Sequence, residues 1–343
     1  MHTIHYFAGG NTAQGFFSCF QDILPAAERK RLYCIKGGPG VGKSTLMKRA
    51  AQAAEAKGHA VEYFHCSSDP DSLDGVCFPQ LGIALVDGTA PHIQDPVIPG
   101  ARDTLLSLGD FLDEEALTPH TGEIAALQKE ISAKFRRCYR YLAAAQEVLK
   151  AAPAGAENEA RAVGVAQEWG KSLPLRGGKG TVRRFFGAAF TPKGRVEITD
   201  FSLFERRLAL DCPFGAHADA WLLEATRQAV QRGLDVVQLL DPLSPKHVAH
   251  VLIPQHGIAL CTGRRTVHSE GEWLDKEAVF DECAGSEKEQ SFDGNAFELL
   301  CERAFEQLRA AKSLHDELER FYVKHMDFAR WQEVLDKVTA SLP

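Results

Sequence analysis

Short apolar runs alternate with helical stretches along the first third of the chain. Arg31-Leu-Tyr-Cys-Ile-Lys36 reads as a buried strand, as do Ala60-Val-Glu-Tyr-Phe-His65 and Leu81-Gly-Ile-Ala-Leu-Val-Asp87. Leu46, Met47, Ala50, Ala51 and Ala54 recur at three- and four-residue spacing and predict a helix that stops near Lys57-Gly58. Cys66 to Gly75, with Asp69, Asp71 and Asp74, reads as a loop. Strand, helix, strand, loop and strand in this order predict a parallel α/β sheet with its ligands at the strand C-termini. Farther on the period turns fully helical. Glu123 to Lys150 carries Ile124, Leu127, Ile131, Phe135, Tyr139 and Leu142, and Phe297 to Lys324 carries Leu300, Ala304, Leu308, Ala311, Leu314, Leu318 and Phe321. A last helix covers Phe328 to Thr339. Packing of these helices on their own sheets is the favoured arrangement, and pairing into a stalk is the alternative.

The pattern occurs twice. Residues 58–88 align without gaps to 233–263, through Gly58/Gly233, Val61/Val236, Pro79-Gln80/Pro254-Gln255 and Gly82-Ile-Ala-Leu85/Gly257-Ile-Ala-Leu260. Tyr6-Phe7, Thr12 and Gly15 match Phe185-Phe186, Thr191 and Gly194. The expected organisation is a tandem duplication: a domain at 1–150, a linker at 151–180 rich in Ala and Gly, and a second domain at 181–343.

The strongest chemical signal lies between the first strand and helix. Gly37-Gly-Pro-Gly-Val-Gly-Lys-Ser-Thr45 fits G-x-x-x-x-G-K-[ST] completely. In such a P-loop the main-chain N–H groups form a nest for phosphate oxygens, and the helix dipole adds to the attraction. Gly37, Gly38, Gly40, Val41 and Gly42 are expected to cradle the phosphates, with Lys43 on the β- and γ-phosphates. The Ser44 hydroxyl would ligate Mg²⁺, and Thr45 would support the α-phosphate side. Gly170-Lys171-Ser172 repeats the last letters, but Val165 stands where the first glycine is needed, so it reads as surface.

Asp87, at the end of an apolar run, is the expected acid of the Mg²⁺ shell. Asp69, with Asp71 and Asp74, is a candidate for positioning water or an acceptor hydroxyl, and a turn-forming role stays open. His92, in Thr89-Ala-Pro-His92, is a candidate for contacting the γ-phosphate or water, with a core or turn histidine as the alternative. No Glu follows Asp87, which predicts slow hydrolysis; the absence of an Asn-Lys-x-Asp motif favours ATP over GTP. In the second copy Cys212 to Trp221 replaces the P-loop, the alignment sets Lys43 against Asp219, and Thr262 replaces Asp87. One nucleotide site per chain is therefore expected, with the second half structural or regulatory. Arg264 and Arg265 are candidates for reaching the first site.

Composition narrows the partners. Of 343 residues, 45% are hydrophobic and 25% charged, as in an ordinary globular protein. A net charge of −7 makes nucleic acid an unlikely general partner. No apolar run approaches membrane-spanning length, and Met1 to Gly10 has no signal-peptide pattern. Nine scattered cysteines without a Cys-x-x-Cys pair suggest free thiols in the cytoplasm.

The combination Tyr6-Phe-Ala-Gly-Gly-Asn-Thr12, the P-loop through Leu46-Met47, His65-Cys-Ser-Ser-Asp-Pro-Asp-Ser-Leu-Asp-Gly75, Asp87-Gly-Thr-Ala-Pro-His92 and His315-Asp-Glu-Leu-Glu319 resembles a bacterial family of duplicated P-loop ATPases or ATP-binding proteins of unknown role. The resemblance implies the fold and ATP binding but no substrate. Family members tend to carry a P-loop in both halves, and this chain departs from that at Cys212–Trp221 and Thr262. The expected activity is Mg-dependent ATP binding with slow hydrolysis. A kinase acting on an unknown small molecule or protein, and a non-catalytic nucleotide switch, are the alternatives.

Overall fold

The computed structural model describes residues 3–152, 155–263, 271–282 and 286–342. The first half contains β1 (Ile4–Phe7), β2 (Gly9–Thr12), β3 (Gly15–Ser18), β4 (Arg31–Lys36), α1 (Lys43–Ala56), β5 (Glu62–Cys66), β6 (Asp69–Phe78), β7 (Ile83–Asp87), β8 (Asp103–Ser107), the short α2 (Glu114–Leu117) and α3 (Thr121–Ala151). Then comes α4 (Glu159–Lys171). The second half contains β9 (Val182–Phe185), β10 (Ala188–Thr191), β11 (Gly194–Glu197), β12 (Arg206–Asp211), α5 (Asp219–Gln231), β13 (Val236–Leu240), β14 (Val248–Ile253), β15 (Ile258–Gly263), β16 (Glu272–Leu274), α6 (Glu287–Lys324) and α7 (Phe328–Ala340).

Each half builds a six-stranded sheet of the same order: β1-β5-β6-β7-β4-β8 in the first, and β9-β13-β14-β15-β12-β16 in the second. The sheets are mixed rather than parallel, which corrects the expectation. β6 runs antiparallel to both β5 and β7, and β14 does the same between β13 and β15. The segment expected to be a loop is mostly strand. Asp69, Pro70 and Asp71 mask its period, but Leu73, Val76, Cys77 and Phe78 are buried. The hairpins repeat as well: Thr12 Oγ1 donates to the Gly15 carbonyl (2.8 Å) and Thr191 Oγ1 to that of Gly194 (2.9 Å).

The halves meet about an approximate two-fold axis. Phe7 and Phe186, matched positions of the repeat, exchange both main-chain hydrogen bonds at 2.9 Å. Tyr6 stacks on its own counterpart Phe185, with ring centroids 5.1 Å apart. Beside this seam the Arg183 guanidinium forms two hydrogen bonds to the Glu62 carboxylate, at 2.7 and 2.6 Å.

The helices cross between halves instead of staying on their own sheets. α3 and α6 pack on each other around Cys138, Leu142, Cys301, Ala304 and Leu308. They run antiparallel, with His120 ahead of α3 against Phe321 near the end of α6. The middle of the expected linker is α4, capped by the Asn158 side chain, and α4 packs on α5 of the second half. Reciprocally α7 packs on α1 of the first half, burying Trp331, Leu335 and Val338 with Leu46 and Ala50. Among the described residues no helix is long and apolar enough to cross a membrane.

Candidate functional site

The glycine-rich loop Gly37–Gly42 joins β4 to α1. Gly42 is the N-cap of α1 at φ +85°, so the first turn of α1 has no capping side chain among the described residues. That leaves donor N–H groups and the positive helix end toward the loop. Gly40 is likewise left-handed, at φ +71°. The second half closes tightly on this loop. A Cβ on Gly40 would stand 2.7 Å from Val323 Cγ2, and one on Gly42 2.8 Å from Trp331 Nε1.

Lys43 Nζ donates to the carbonyls of Gly37 (2.8 Å) and Gly38 (2.9 Å) and stands 3.5 Å from Asp87 Oδ2. Ser44 Oγ accepts a hydrogen bond from the Leu73 N–H at 3.0 Å. Val41 is buried and Thr45 exposed. Asp87 ends β7, beside β4, with Ile35 as its register partner. Its Oδ1 accepts from the Thr89 N–H at 2.9 Å and from the Thr89 hydroxyl.

The antiparallel strand adds a residue that sequence reasoning had grouped with its neighbours. Gly75 pairs with Val86, so the register carries Asp74 opposite Asp87. Asp74 is buried, and burial, reinforced by the Asp87 charge, pushes its carboxyl up to about 7. Asp69 lies elsewhere: it accepts from Ser72 Oγ at 3.0 Å and sits 3.6 Å from Lys312 of α6. Asp71 pairs with Lys193 at 2.6 Å on the surface. A strand register could have singled out Asp74, had the strand been recognised.

His92 reaches the same place from the loop after β7. Its ring stacks on Phe20 with centroids 4.3 Å apart, and Nε2 lies 4.0 Å from Asp87 Oδ1. Burial pulls the imidazole down to about 4, although the Asp87 charge opposes this. Glycine loop, Lys43, Ser44, Asp74, Asp87 and His92 thus converge at the C-terminal ends of β4 and β7. Arg264 and Arg265 lie outside the described residues.

The matching place in the second half is filled differently. The sequence alignment set Lys43 against Asp219, and the structure moves this by one residue. Ser44 and Asp219 both accept from the following strand, Asp219 Oδ1 from the Val248 N–H at 3.0 Å. The buried faces Leu46, Met47, Ala50 and Leu222, Ala225, Trp221 superpose in that register, and Ala218 faces Lys43. The strand ahead keeps the same offset, Arg31 lying beside Ile83 as Arg206 lies beside Ile258, so no gap falls in the loop and α5 starts one residue late. Glu157, just ahead of α4, then lays its carboxylate on the first turn of α5: Oε2 accepts from the Ala220 N–H and Oε1 from the Trp221 N–H, both at 3.0 Å. An internal carboxylate therefore closes the start of α5. Ahead of α7, in the corresponding position, stands Met326, buried with the α1 core.

A family model described as Nephrocystin 3, N-terminal, matches residues 11–76, which include the glycine loop, α1 and most of β6. It covers too little of the chain to assign the whole. No curated protein and no solved structure matches the chain.

Proposed function

We propose that the first half binds Mg-ATP and hydrolyses it slowly, while the second half serves as a structural or regulatory partner. The observation that carries this reading is the contrast between two matched helix ends. The α1 end has a glycine loop, a lysine and no side-chain cap, whereas the α5 end is closed by Glu157. Seating a polyphosphate on α1 uses the loop N–H groups, with Lys43 exchanging its carbonyl partners for phosphate oxygens. Ser44 and Asp87 would hold Mg²⁺, which supplies charge neutralisation on the phosphates. Their fit rests on a hydroxyl with a free lone pair and a buried carboxylate whose Oδ2 is met by Lys43 alone at 3.5 Å among the ion pairs described.

The slow rate is expected because no Glu follows Asp87. Asp74, whose carboxyl burial raises to about 7, and His92 beside it are the groups that would orient water. No strong base precedes the phosphate site. The resemblance noted in the sequence supports the same reading. Lys43→Ala should weaken ATP affinity in calorimetry at least a hundredfold; unchanged affinity would refute the assignment.

One observation also favours a nucleotide-dependent switch. Tyr322, Val323 and Trp331 of the second half pack on Gly38, Gly40 and Gly42, so a ligand that moves the loop pushes on α6 and α7. ATP binding without phosphate release would select the switch over the ATPase.

A further inference from the structure

Asp87 is a two-sided carboxylate. Oδ2 is turned to Lys43 at 3.5 Å, and Oδ1 lies 4.0 Å from His92 Nε2. Asp74 joins it across the β6–β7 register, and one ligand atom from each of Asp74, Asp87 and His92 lies within 4.8 Å of the others. All three residues are buried. Two carboxylates share this space, and Lys43 brings a single positive charge to it.

His92 supplies the independent sign of a missing partner. The residue is 8% exposed, and among the described residues neither Nδ1 nor Nε2 has a hydrogen-bond partner. A buried polar nitrogen without a partner has given up its hydration for nothing, so an imidazole with two needs an explanation. The Phe20 ring fixes its plane beside the acids, which is how a ligand is pre-oriented.

We propose that Asp74, Asp87 and His92 form a divalent-cation site that loads without nucleotide and takes a transition metal of the Mn²⁺ type. Metal–ligand bonds of about 2.1–2.2 Å join donors roughly 3–4 Å apart, so the set closes with small side-chain movements. An imidazole among carboxylates suits Mn²⁺, Fe²⁺, Co²⁺ or Zn²⁺, whereas Mg²⁺ favours an all-oxygen shell. The second half acts as an internal contrast. Within the ungapped repeat Ala249 stands for Asp74 and Thr262 for Asp87, so both acidic donors are lost where the loop is lost. This site does not depend on the nucleotide reading.

The test uses the full chain, metal-stripped and nucleotide-free, titrated with MnCl₂ alone by calorimetry and examined by pulsed EPR for ¹⁴N coupling. One Mn²⁺ per chain with an imidazole ¹⁴N signal is expected. His92→Gln should abolish that signal and weaken binding at least tenfold, and Asp74→Asn should weaken it at least tenfold while keeping the signal. Circular dichroism confirms that each variant is folded. The half-exposed His315, Asp316 and Glu319 on α6 are the competing place, and His315→Ala should leave Mn²⁺ binding unchanged. Absence of Mn²⁺ binding, a ¹⁴N signal that survives His92→Gln, or its loss in His315→Ala would overturn the proposal. Lys43→Ala separates the two readings, because it should lose ATP but keep Mn²⁺.

Discussion

His65 shows how one side chain sets a pH limit. Its Nδ1 lies 2.7 Å from the Pro70 carbonyl and its Nε2 2.9 Å from His5 Nδ1, so the two rings share a proton while both stay neutral. Burial holds His65 down at about 4. Between pH 6.5 and 4 the unfolded chain therefore binds a proton that the folded chain rejects. Stability rises with pH across that window and is lost on acidification, by about 3 kcal/mol from this group. His65→Gln should remove that share of the loss when urea unfolding at pH 4.5 is compared with pH 7. Gly42 limits the loop in a different way. A side chain there meets both a left-handed φ and the Trp331 ring, so Gly42→Ala should cost about 1–3 kcal/mol in urea unfolding. The placement of the glycines, Lys43, Ser44 and Asp87 was legible in the sequence because a glycine run joins an apolar strand to a helical period and an acid closes a second apolar run. Asp74 was not singled out, because what pairs it with Asp87 is a strand register, and Asp-Pro-Asp hides the strand.

At the level of elements, the two matched helix ends are finished differently. Glu157 satisfies two N–H groups of α5 and places a negative charge at the positive end of its dipole. Burial pushes its carboxyl upward, and the two N–H groups pull it back. Glu157→Ala should destabilise the chain by about 1–2 kcal/mol in urea. Its hydrogen exchange should quicken at the start of α5 while α1 is unchanged. No motif announces this contact, since Glu157 in an Ala- and Gly-rich stretch carries no periodic signal. Helix α4 was hidden in the same way: Ala162, Ala166 and Gly170 make its buried face, and small residues read as linker. The pairing of α3 with α6 was also out of reach of the pattern, because an amphipathic stripe shows that a face is covered but not by what.

For the molecule as a whole, exchange of the terminal helices makes each half depend on the other. Trp331, Leu335 and Val338 of α7 complete the core that contains Leu46, Met47 and Leu85. Ending the chain after Lys324 would expose that core, so amide exchange in α1 should accelerate while α5, which keeps α4, stays protected. Equal acceleration in both helices would contradict the arrangement. The duplication was legible from matched residues, and both sheets repeat it strand for strand. The seam was not legible, because matched residues say nothing about whether copies sit side by side or face each other.

Phe7 bonding to Phe186, and Tyr6 stacking on Phe185, is the geometry by which identical subunits join in an isologous homodimer. A single repeat carries the self-complementary edge that such a dimer needs. Covalent fusion removes the requirement that both partners be the same, and so frees one pocket to be plugged from within while its twin keeps the lysine.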